Sequence, residues 1–425
     1  MILRILISSL LTLHLTIIAA QTTPYVVELR NGQFYNGSAF QEGVWYSVNG
    51  VLSAKTPSKI DTTIDLHGRW VLPALGDALC LSIADNNLAG NVADLYAEEG
   101  FLYLLVAENT LEGRAEAQKV LATGQRPEAA YANGLATSSG TAPVLAAEAK
   151  FAKVYDEQSI ARKKDELIAA GMMAGNAYWT FDTKEDVKQP LLPFLSKNKP
   201  ANKWKQFIDQ KPQALILYLR NTGAQAQPGM NPEVAKMLAK NGHKAKIPVF
   251  AYVETVADVR LALSLGVDAL LGLPGANWDG KGSADAYRLS DEDLALMVKK
   301  GTAVAPLFAL TQHREVADRK AVQTHQSETL KRLFNSNVKV CMGSGDPQRS
   351  ARNELNYWFQ LGGLNIPKAL QAMCETTPQV IFPNRKIGRI AEGYEANLVV
   401  LDENPVGNIL KVRNIWFKLK GGRVF

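Results

Sequence analysis

The chain has little cysteine for its 425 residues. Its three cysteines, Cys80, Cys341 and Cys374, are an odd number, and none belongs to a CxxC pair. Neither a disulfide framework nor a cluster of thiolate metal ligands is therefore the basis of the fold. We expect all three thiols to be buried.

The chain also lacks a strong excess of either charge. It has 47 basic and 41 acidic residues, which gives a net charge of +6. The basic residues are spread out and are not interleaved with aromatic residues as in nucleic-acid modules, so we expect no nucleic-acid partner. The sequence contains no HExxH zinc motif and no GxSxG nucleophile elbow.

Long hydrophobic runs are absent except at the N-terminus. Arg4 is followed by a largely apolar run that ends with Ala19 and Ala20, before the polar Gln21. This run is shorter than the roughly 20 residues of a membrane-spanning helix and is typical of a cleaved export signal. We predict a signal peptide over residues 1–20 and a soluble mature protein that is periplasmic or secreted, with a retained anchor as the alternative.

Both ends of the mature chain consist of short apolar or alternating runs separated by turn residues. The dipeptides Asn31-Gly32, Asn36-Gly37 and Asn49-Gly50 are typical of hairpin turns. Each end is too small to bury a core alone, so we predict that residues 21–70 and 386–425 form one composite β-sandwich domain.

Residues 71–385 alternate between strand-like and helix-like segments. In the clearest unit, a strand at Ile247–Tyr252 precedes a helix that begins with a capping box at Thr255 and Asp258, ends at Gly266 and leads to a strand at Val267–Leu273. No glycine-rich dinucleotide fingerprint follows the first strand, so the pattern favours a TIM-like (β/α)8 barrel over an open doubly wound sheet.

Three blocks of the sequence resemble the metal-dependent amidohydrolase superfamily, in its imidazolonepropionase-like branch. They are Ile64–Ser82, Pro248–Gly275 and Arg385–Ile409. The resemblance implies a barrel inserted into a composite β domain. It also implies hydrolysis of C–N bonds by water that zinc or another divalent metal activates.

The same resemblance implies metal ligands where this chain has none. The positions are Leu79 and Leu81 for a histidine pair on strand one, Ile216 for a lysine on strand four, and Tyr252 and Gly272 for histidines on strands five and six. Asp346 matches a strand-eight aspartate, but an extra residue in its turn shifts the register by one. The sequence therefore leaves open whether Asp346 faces the barrel mouth or caps its own turn.

These substitutions predict a catalytically inactive pseudoenzyme without metal or other cofactor. We expect this protein to bind a small ligand or a protein partner, and to be either a monomer or an oligomer. The alternative is an active C–N hydrolase. It would use either a metal site rebuilt from His313, His325 and Asp346 or metal-free carboxylate chemistry at Asp346.

The remaining candidates are pocket and surface residues. Tyr218, Trp278 and Arg349 are predicted to line a pocket at the barrel mouth. The mature chain has four histidines, and we expect each to have a surface or capping role: His67, His243, His313 and His325.

Overall fold

The computed structural model describes residues 25–84, 89–123, 125–170, 177–188, 203–220 and 229–425. The predicted signal peptide lies outside these residues. Within them, no helix combines the length and the apolar character that crossing a membrane requires. All three cysteines are buried, as predicted, and none forms a disulfide.

The described residues contain two groups of strands, one near the chain ends and one between them. In chain order the strands are β1 (Val26–Tyr35), β2 (Phe40–Val48), β3 (Val51–Ser53), β4 (Thr62–Asp65), β5 (Trp70–Pro73), β6 (Leu75–Cys80), β7 (Phe101–Val106), β8 (Glu128–Tyr131), β9 (Leu135–Thr137), β10 (Tyr178–Thr180), β11 (Leu215–Tyr218), β12 (Val249–Tyr252), β13 (Ala269–Leu271), β14 (Ala303–Ala305), β15 (Lys339–Val340), β16 (Leu398–Leu401), β17 (Ile415–Lys420) and β18 (Arg423–Val424).

Helices separate most strands of the central group. They are α1 (Ala89–Glu98), α2 (Leu111–Leu121), α3 (Ala142–Phe151), α4 (Glu157–Arg162), α5 (Lys164–Ala170), α6 (Lys184–Val187), α7 (Lys203–Asp209), α8 (Pro232–Lys244), α9 (Val256–Leu265), α10 (Asp291–Lys300), α11 (Arg319–Asn335), α12 (Arg352–Leu361), α13 (Ile366–Gln371) and α14 (Thr377–Ile381). Shorter helical turns lie at Ala284–Tyr287, Phe308–His313, Ala372–Thr376 and Ile409–Arg413.

Strands from both ends of the chain form one eight-stranded sheet. Its order is β18-β17-β16-β5-β1-β2-β3, with β4 paired to β1. Strand β5 joins the two ends because it pairs in parallel with β1 and antiparallel with β16. Side chains from both ends, including Leu29, Leu52 and Leu398, share one buried cluster. The predicted composite β domain is therefore confirmed.

Two of the three predicted hairpin turns are present. Asn49-Gly50 joins β2 to β3, with both residues at positive φ, and Asn36-Gly37 joins β1 to β2. The prediction for Asn31-Gly32 is wrong, because this dipeptide lies inside β1, where the pairing register with β2 shifts. The left-handed Asn31 accommodates a bulge there and does not reverse the chain.

Eight parallel strands form a closed barrel. Pairing runs from β6 through β7 to β8 and from β11 through β12, β13 and β14 to β15. Backbone hydrogen bonds close the ring, from Gln213 N to Tyr131 O (2.8 Å) and from Ala78 N to Met342 O (2.7 Å). The TIM-like barrel is therefore confirmed.

The capping box and the terminal glycine that predicted the clearest βαβ unit are both present in the structure. The Thr255 hydroxyl accepts a hydrogen bond from Asp258 N (3.1 Å), and the Asp258 carboxylate accepts one from Thr255 N (2.9 Å). Helix α9 then ends at Gly266, which has a left-handed φ of 73°. This capping box and the C-terminal glycine fix both ends of the helix between β12 and β13.

The two ends of the chain meet closely at Gly50, which gives a test of the composite domain. A Cβ atom on Gly50 would lie 2.8 Å from the carbonyl of Gly421, whereas a Cβ on Gly68 would meet nothing within 4 Å. Both glycines have positive φ, so alanine at either site costs about 1 kcal/mol or more of backbone strain.

We therefore expect Gly50→Ala to lower the free energy of unfolding by at least about 2 kcal/mol more than the control Gly68→Ala. Urea unfolding followed by circular dichroism measures both. Equal losses would show that the two ends do not pack against each other at Gly50.

Candidate functional site

The carboxyl ends of the barrel strands are where barrel enzymes place their active sites. In this chain the seam between the last and first strands is built around Asp77. Its carboxylate accepts hydrogen bonds from Leu79 N (3.0 Å), Ser344 N (2.9 Å) and the Tyr96 hydroxyl (2.8 Å). Burial raises the pKa of Asp77. This residue therefore ties β6, α1 and the segment after β15 together.

An apolar plug, formed by Leu79, Leu307 and Leu310, lies beside this seam. A Cβ atom placed on Gly345 would lie within 3.6 Å of all three leucine side chains. Leu79 and Leu307 are almost completely buried. The end of β6, the loop after β14 and the turn after β15 therefore meet through hydrocarbon contacts.

A buried carboxylate holds the loop that carries two of the plug residues. Leu307 has a left-handed φ of 57°, which is strained for a side chain other than glycine. Directly after it, Phe308 N (2.9 Å) and Ala309 N (2.7 Å) donate hydrogen bonds to Glu354 on α12, as does the Trp358 indole (2.8 Å). Burial raises the pKa of Glu354 to about 7.

Four of the five positions that the resemblance assigns to metal ligands have no ligand atom in their side chains. Leu79 belongs to the apolar plug, Leu81 is half-buried, and Ile216 is completely buried in β11. Gly272 has no room for a side chain, since a Cβ atom would lie 2.9 Å from Val253 O. The fifth position, Tyr252, has a phenol.

Asp346 caps its own turn. Its Oδ1 accepts a hydrogen bond from Gln348 N (2.8 Å), and its Oδ2 pairs with Arg349 Nη1 (2.8 Å). Both carboxylate oxygens are therefore engaged within the turn. Arg349, which was predicted to line a pocket, is the partner in this ion pair.

The histidines do not converge with Asp346. His67 and His243 lie near Asp65 and Asp268 on the surface, and His313 is exposed. The expected surface role is wrong for His325, which is buried on α11 with its Nε2 3.1 Å from Pro274 O. Among the described residues, no three His, Cys, Asp or Glu side chains are grouped so that they could hold a metal ion.

Four polar side chains lie at or near strand ends: Tyr218 and Tyr252 are the last residues of β11 and β12, Glu108 follows β7, and Tyr178 is the first residue of β10. We call Glu108, Tyr178, Tyr218 and Tyr252 the mouth cluster. Tyr218 and Tyr252 are paired across β11 and β12, and their ring centroids are 6.0 Å apart. Burial raises the pKa of each tyrosine, and the negative charge of Glu108 raises it further.

Glu108 differs from the other buried acids of the barrel because its carboxylate lacks partners. Burial raises its pKa, and within the described residues no hydrogen bond or ion pair reaches it. Glu108, Tyr178 and Tyr252 are each only partly buried. Within the part of the chain that the structure describes, Glu108 is therefore a partly buried acid without a partner.

A second polar group contains two arginines, Arg220 and Arg314, and one glutamate, Glu254. Arg220 Nε lies 3.4 Å from the Glu254 carboxylate, which also accepts hydrogen bonds from Asn277 N (3.2 Å) and Asn277 Nδ2 (2.5 Å). Arg314 in turn donates to Asn277 Oδ1 (3.2 Å). Glu254 therefore faces both arginines, and among the described residues Arg220 Nε is buried without a hydrogen-bond partner.

Of the three predicted pocket residues, only Tyr218 belongs to the mouth cluster. Trp278 packs on Tyr287 and His325, with ring centroids 5.4 and 5.8 Å away, beside a separate cleft of about 360 Å³. The sequence analysis missed Glu108, Tyr178, Arg220 and Glu254. A signal was present for three of these, because Glu108, Arg220 and Glu254 each lie two residues after the last residue of a barrel strand.

Comparison with known proteins is informative about the fold. No family model matches the chain. The ochratoxinase of Aspergillus niger is 23% identical over 207 residues, which are 46% of this chain and only 41% of that protein. Its crystal structure superposes with a TM-score of 0.71 at 13% identity, covering 95% of this chain and 96% of that chain.

Two other solved structures superpose similarly. One is a Xaa-Pro dipeptidase with methionine bound in its active site, with a TM-score of 0.65 at 15% identity over 94% of this chain and 99% of that one. The other is phenylurea hydrolase B, with a TM-score of 0.66 at 14% identity over 94% of this chain and 96% of that one. The chain has the amidohydrolase fold. The amidohydrolase fold expected from the three sequence blocks is therefore confirmed, and the imidazolonepropionase-like branch stays a prediction.

The raised pKa of Glu354 gives a test of how the plug loop is held in this amidohydrolase fold. Because its pKa is about 7 in the folded protein and ordinarily 4.5, the folded state binds its proton more tightly than the unfolded state. Its contribution to stability is therefore complete below pH 4.5 and is lost as the pH rises through 7.

We expect the difference in unfolding free energy between wild type and Glu354→Gln to fall by up to about 3 kcal/mol over this pH range. Urea unfolding at a series of pH values measures it. Parallel stability curves for the two proteins would contradict a raised pKa at Glu354.

Proposed function

We propose that this amidohydrolase-fold protein is a pseudoenzyme that binds a small ligand at its barrel mouth and does not hydrolyse C–N bonds through a metal. The observation that carries the proposal is the apolar plug at the junction of the first and last barrel strands. A hydrolytic zinc site needs about three nitrogen, oxygen or sulfur ligands and an open position for water. Leucine side chains supply none of these.

The other candidate positions support the same proposal. Ile216 has no ligand atom, Gly272 has no room for a side chain, and both oxygens of Asp346 are engaged. His325 is held by Pro274 O and packed between aromatic rings. The residues present therefore do not fit a divalent metal centre of the kind that the fold family uses.

The mouth cluster supports a binding role. Buried polar groups without partners are costly to a fold, so a carboxylate such as Glu108, which has no partner among the described residues, is typical of a functional site. The mouth cluster contains no serine, threonine or cysteine that could serve as a nucleophile. From the sequence alone, we also propose that the protein is exported to a periplasmic or secreted location. The same proposal includes a protein partner or an oligomer.

Elemental analysis of the purified protein, together with its thermal midpoint with and without added zinc, tests this function. We expect far less than one metal ion per chain and no rise in the midpoint, since a ligand specific to the folded state must stabilise it. Hydrolysis of N-acyl amino acids should stay at the rate of the uncatalysed blank. Asp346→Asn is the matched control, because removing this carboxylate should leave the zinc response unchanged.

A stoichiometric metal ion, or a zinc-dependent rise in the midpoint that Asp346→Asn abolishes, would overturn the proposal. It would show that a metal site exists and would make His313, His325 and Asp346 the first residues to replace.

A further inference from the structure

Arg220, Arg314 and Glu254, which we call the arginine group, have one more positive than negative charge. Arg220 Nε lies 3.4 Å from the Glu254 carboxylate, and among the described residues no other acid lies within ion-pair distance of either arginine. Asp279, in the same loop as Asn277, is paired with Lys281 instead (3.3 Å). Two guanidinium charges therefore share one carboxylate.

Neutral groups of the protein fix Arg314 in place. Its Nη1 donates a hydrogen bond to Asn277 Oδ1 (3.2 Å), and its Nη2 donates to Ala276 O and Trp278 O (both 3.0 Å). These acceptors orient the guanidinium but do not neutralise its charge. Asn277 Nδ2 in turn donates to Glu254 (2.5 Å), so the two halves of the arginine group are joined through one amide.

Arg220 is held less completely than Arg314. Its Nε is buried without a hydrogen-bond partner, and within the part of the chain that the structure describes its one charged contact is Glu254. The eight residues that follow it in the sequence, 221–228, contain no aspartate or glutamate. The side chain is 30% exposed, so a ligand can reach it. A guanidinium offers parallel N–H donors that a carboxylate accepts in pairs.

Tyrosine rings lie next to the arginine group. Arg220 and Glu254 each lie two residues after a tyrosine that ends its strand, Tyr218 in β11 and Tyr252 in β12. Leu219 N bonds to Tyr252 O (3.0 Å), so the pairing of the two strands continues past Tyr218. Side chains two residues apart on extended backbone point to the same side. The two rings, whose centroids are 6.0 Å apart, therefore give a ligand at Arg220 an apolar surface.

The charge of the arginine group favours a ligand with a single negative charge. One carboxylate would bring the two arginines and Glu254 to neutrality. A cationic ligand would add a third positive charge, and a dianion would leave an unbalanced negative charge beside the buried Glu254. Both are costly where the charged groups are partly removed from water.

We infer that the barrel mouth binds an organic monocarboxylate, whose carboxylate pairs with Arg220 and whose apolar part lies against Tyr218 and Tyr252. This inference rests on the proposed binding function and specifies its ligand. Glu254 holds Arg220 on its Nε side, which leaves the two Nη atoms for the ligand. Arg314 contributes a second positive charge without contacting the ligand.

Benzoate and benzamide are the probes, because they have nearly the same shape and differ by one charge. Isothermal titration of the purified protein with each, at low ionic strength, measures the preference. We expect benzoate to bind at least about tenfold more tightly than benzamide, because a paired, charge-assisted contact replaces a neutral hydrogen bond. Equal affinities, or no binding of benzoate at concentrations up to about 10 mM, would overturn the inference.

Variants locate the site and separate charge from ring contacts. Arg220→Gln should abolish the preference for benzoate, whereas the exposed Arg423→Gln, which removes the same charge from β18, should keep it. Tyr252→Leu should weaken both probes by a similar factor and leave the preference unchanged, because it removes a ring and no charge. A preference for benzoate that survives Arg220→Gln would also overturn the inference.

The thermal midpoint of each variant shows whether it folds. If Arg220→Gln does not fold, Arg220→Lys still tests the site, since it keeps the charge and loses the paired donors. We expect Arg220→Lys to bind benzoate about threefold to tenfold more weakly than wild type. Unchanged binding in this variant would contradict a contact between Arg220 and the carboxylate.

Failure of this inference is distinguishable from failure of the proposed function. A metal-free protein that ignores benzoate has lost only the ligand class argued here. A protein with a stoichiometric metal ion has lost the proposed function itself, and benzoate that binds only with added zinc and survives Arg220→Gln belongs to that second case.

Discussion

Closure of the barrel depends on the buried carboxylate of Asp77. It accepts hydrogen bonds from the first strand, from the segment after the last strand and from Tyr96 on α1, so that one side chain fixes three elements. Leu79 follows two residues later and is therefore held where it meets Leu307 and Leu310. Glu354 performs the equivalent task for the loop after β14, whose strained Leu307 would not otherwise keep its position. The apolar plug is a consequence of these two carboxylates.

A raised pKa alone does not distinguish a functional acid from a structural one in this barrel. Burial raises the pKa of Asp77, Glu354 and Glu108 alike. The difference lies in their partners, because Asp77 and Glu354 each accept three hydrogen bonds and Glu108 accepts none among the described residues. Backbone N–H groups, together with the Tyr96 hydroxyl and the Trp358 indole, account for the burial of the first two. The absence of such partners among the described residues is the reason why we propose that Glu108 belongs to a binding site.

Periodicity and capping signals were sufficient to predict the architecture, because they act over a few residues. Thr255, Asp258 and Gly266 define α9 by contacts within the helix itself. The error at Asn31-Gly32 has a different origin, since a left-handed residue serves a turn or a bulge equally well and only the neighbouring strand decides. The mouth cluster was predicted only in part for the same reason. That Tyr218 meets Tyr252 depends on strand register. That Glu108 has no partner among the described residues depends on every element around it.

The plug also explains why a single substitution would not create a metal site in this barrel. A histidine at position 79 would place an imidazole against Leu307 and Leu310, where nothing in the plug can bond to its ring nitrogens. A metal ion would satisfy one nitrogen only if the other ligands were present, yet Ile216 is packed in the barrel interior and Gly272 has no space for a side chain. Each ligand is therefore costly until all are in place. The apolar arrangement is stable against stepwise change, and selection on binding at the mouth cluster can act without disturbing it.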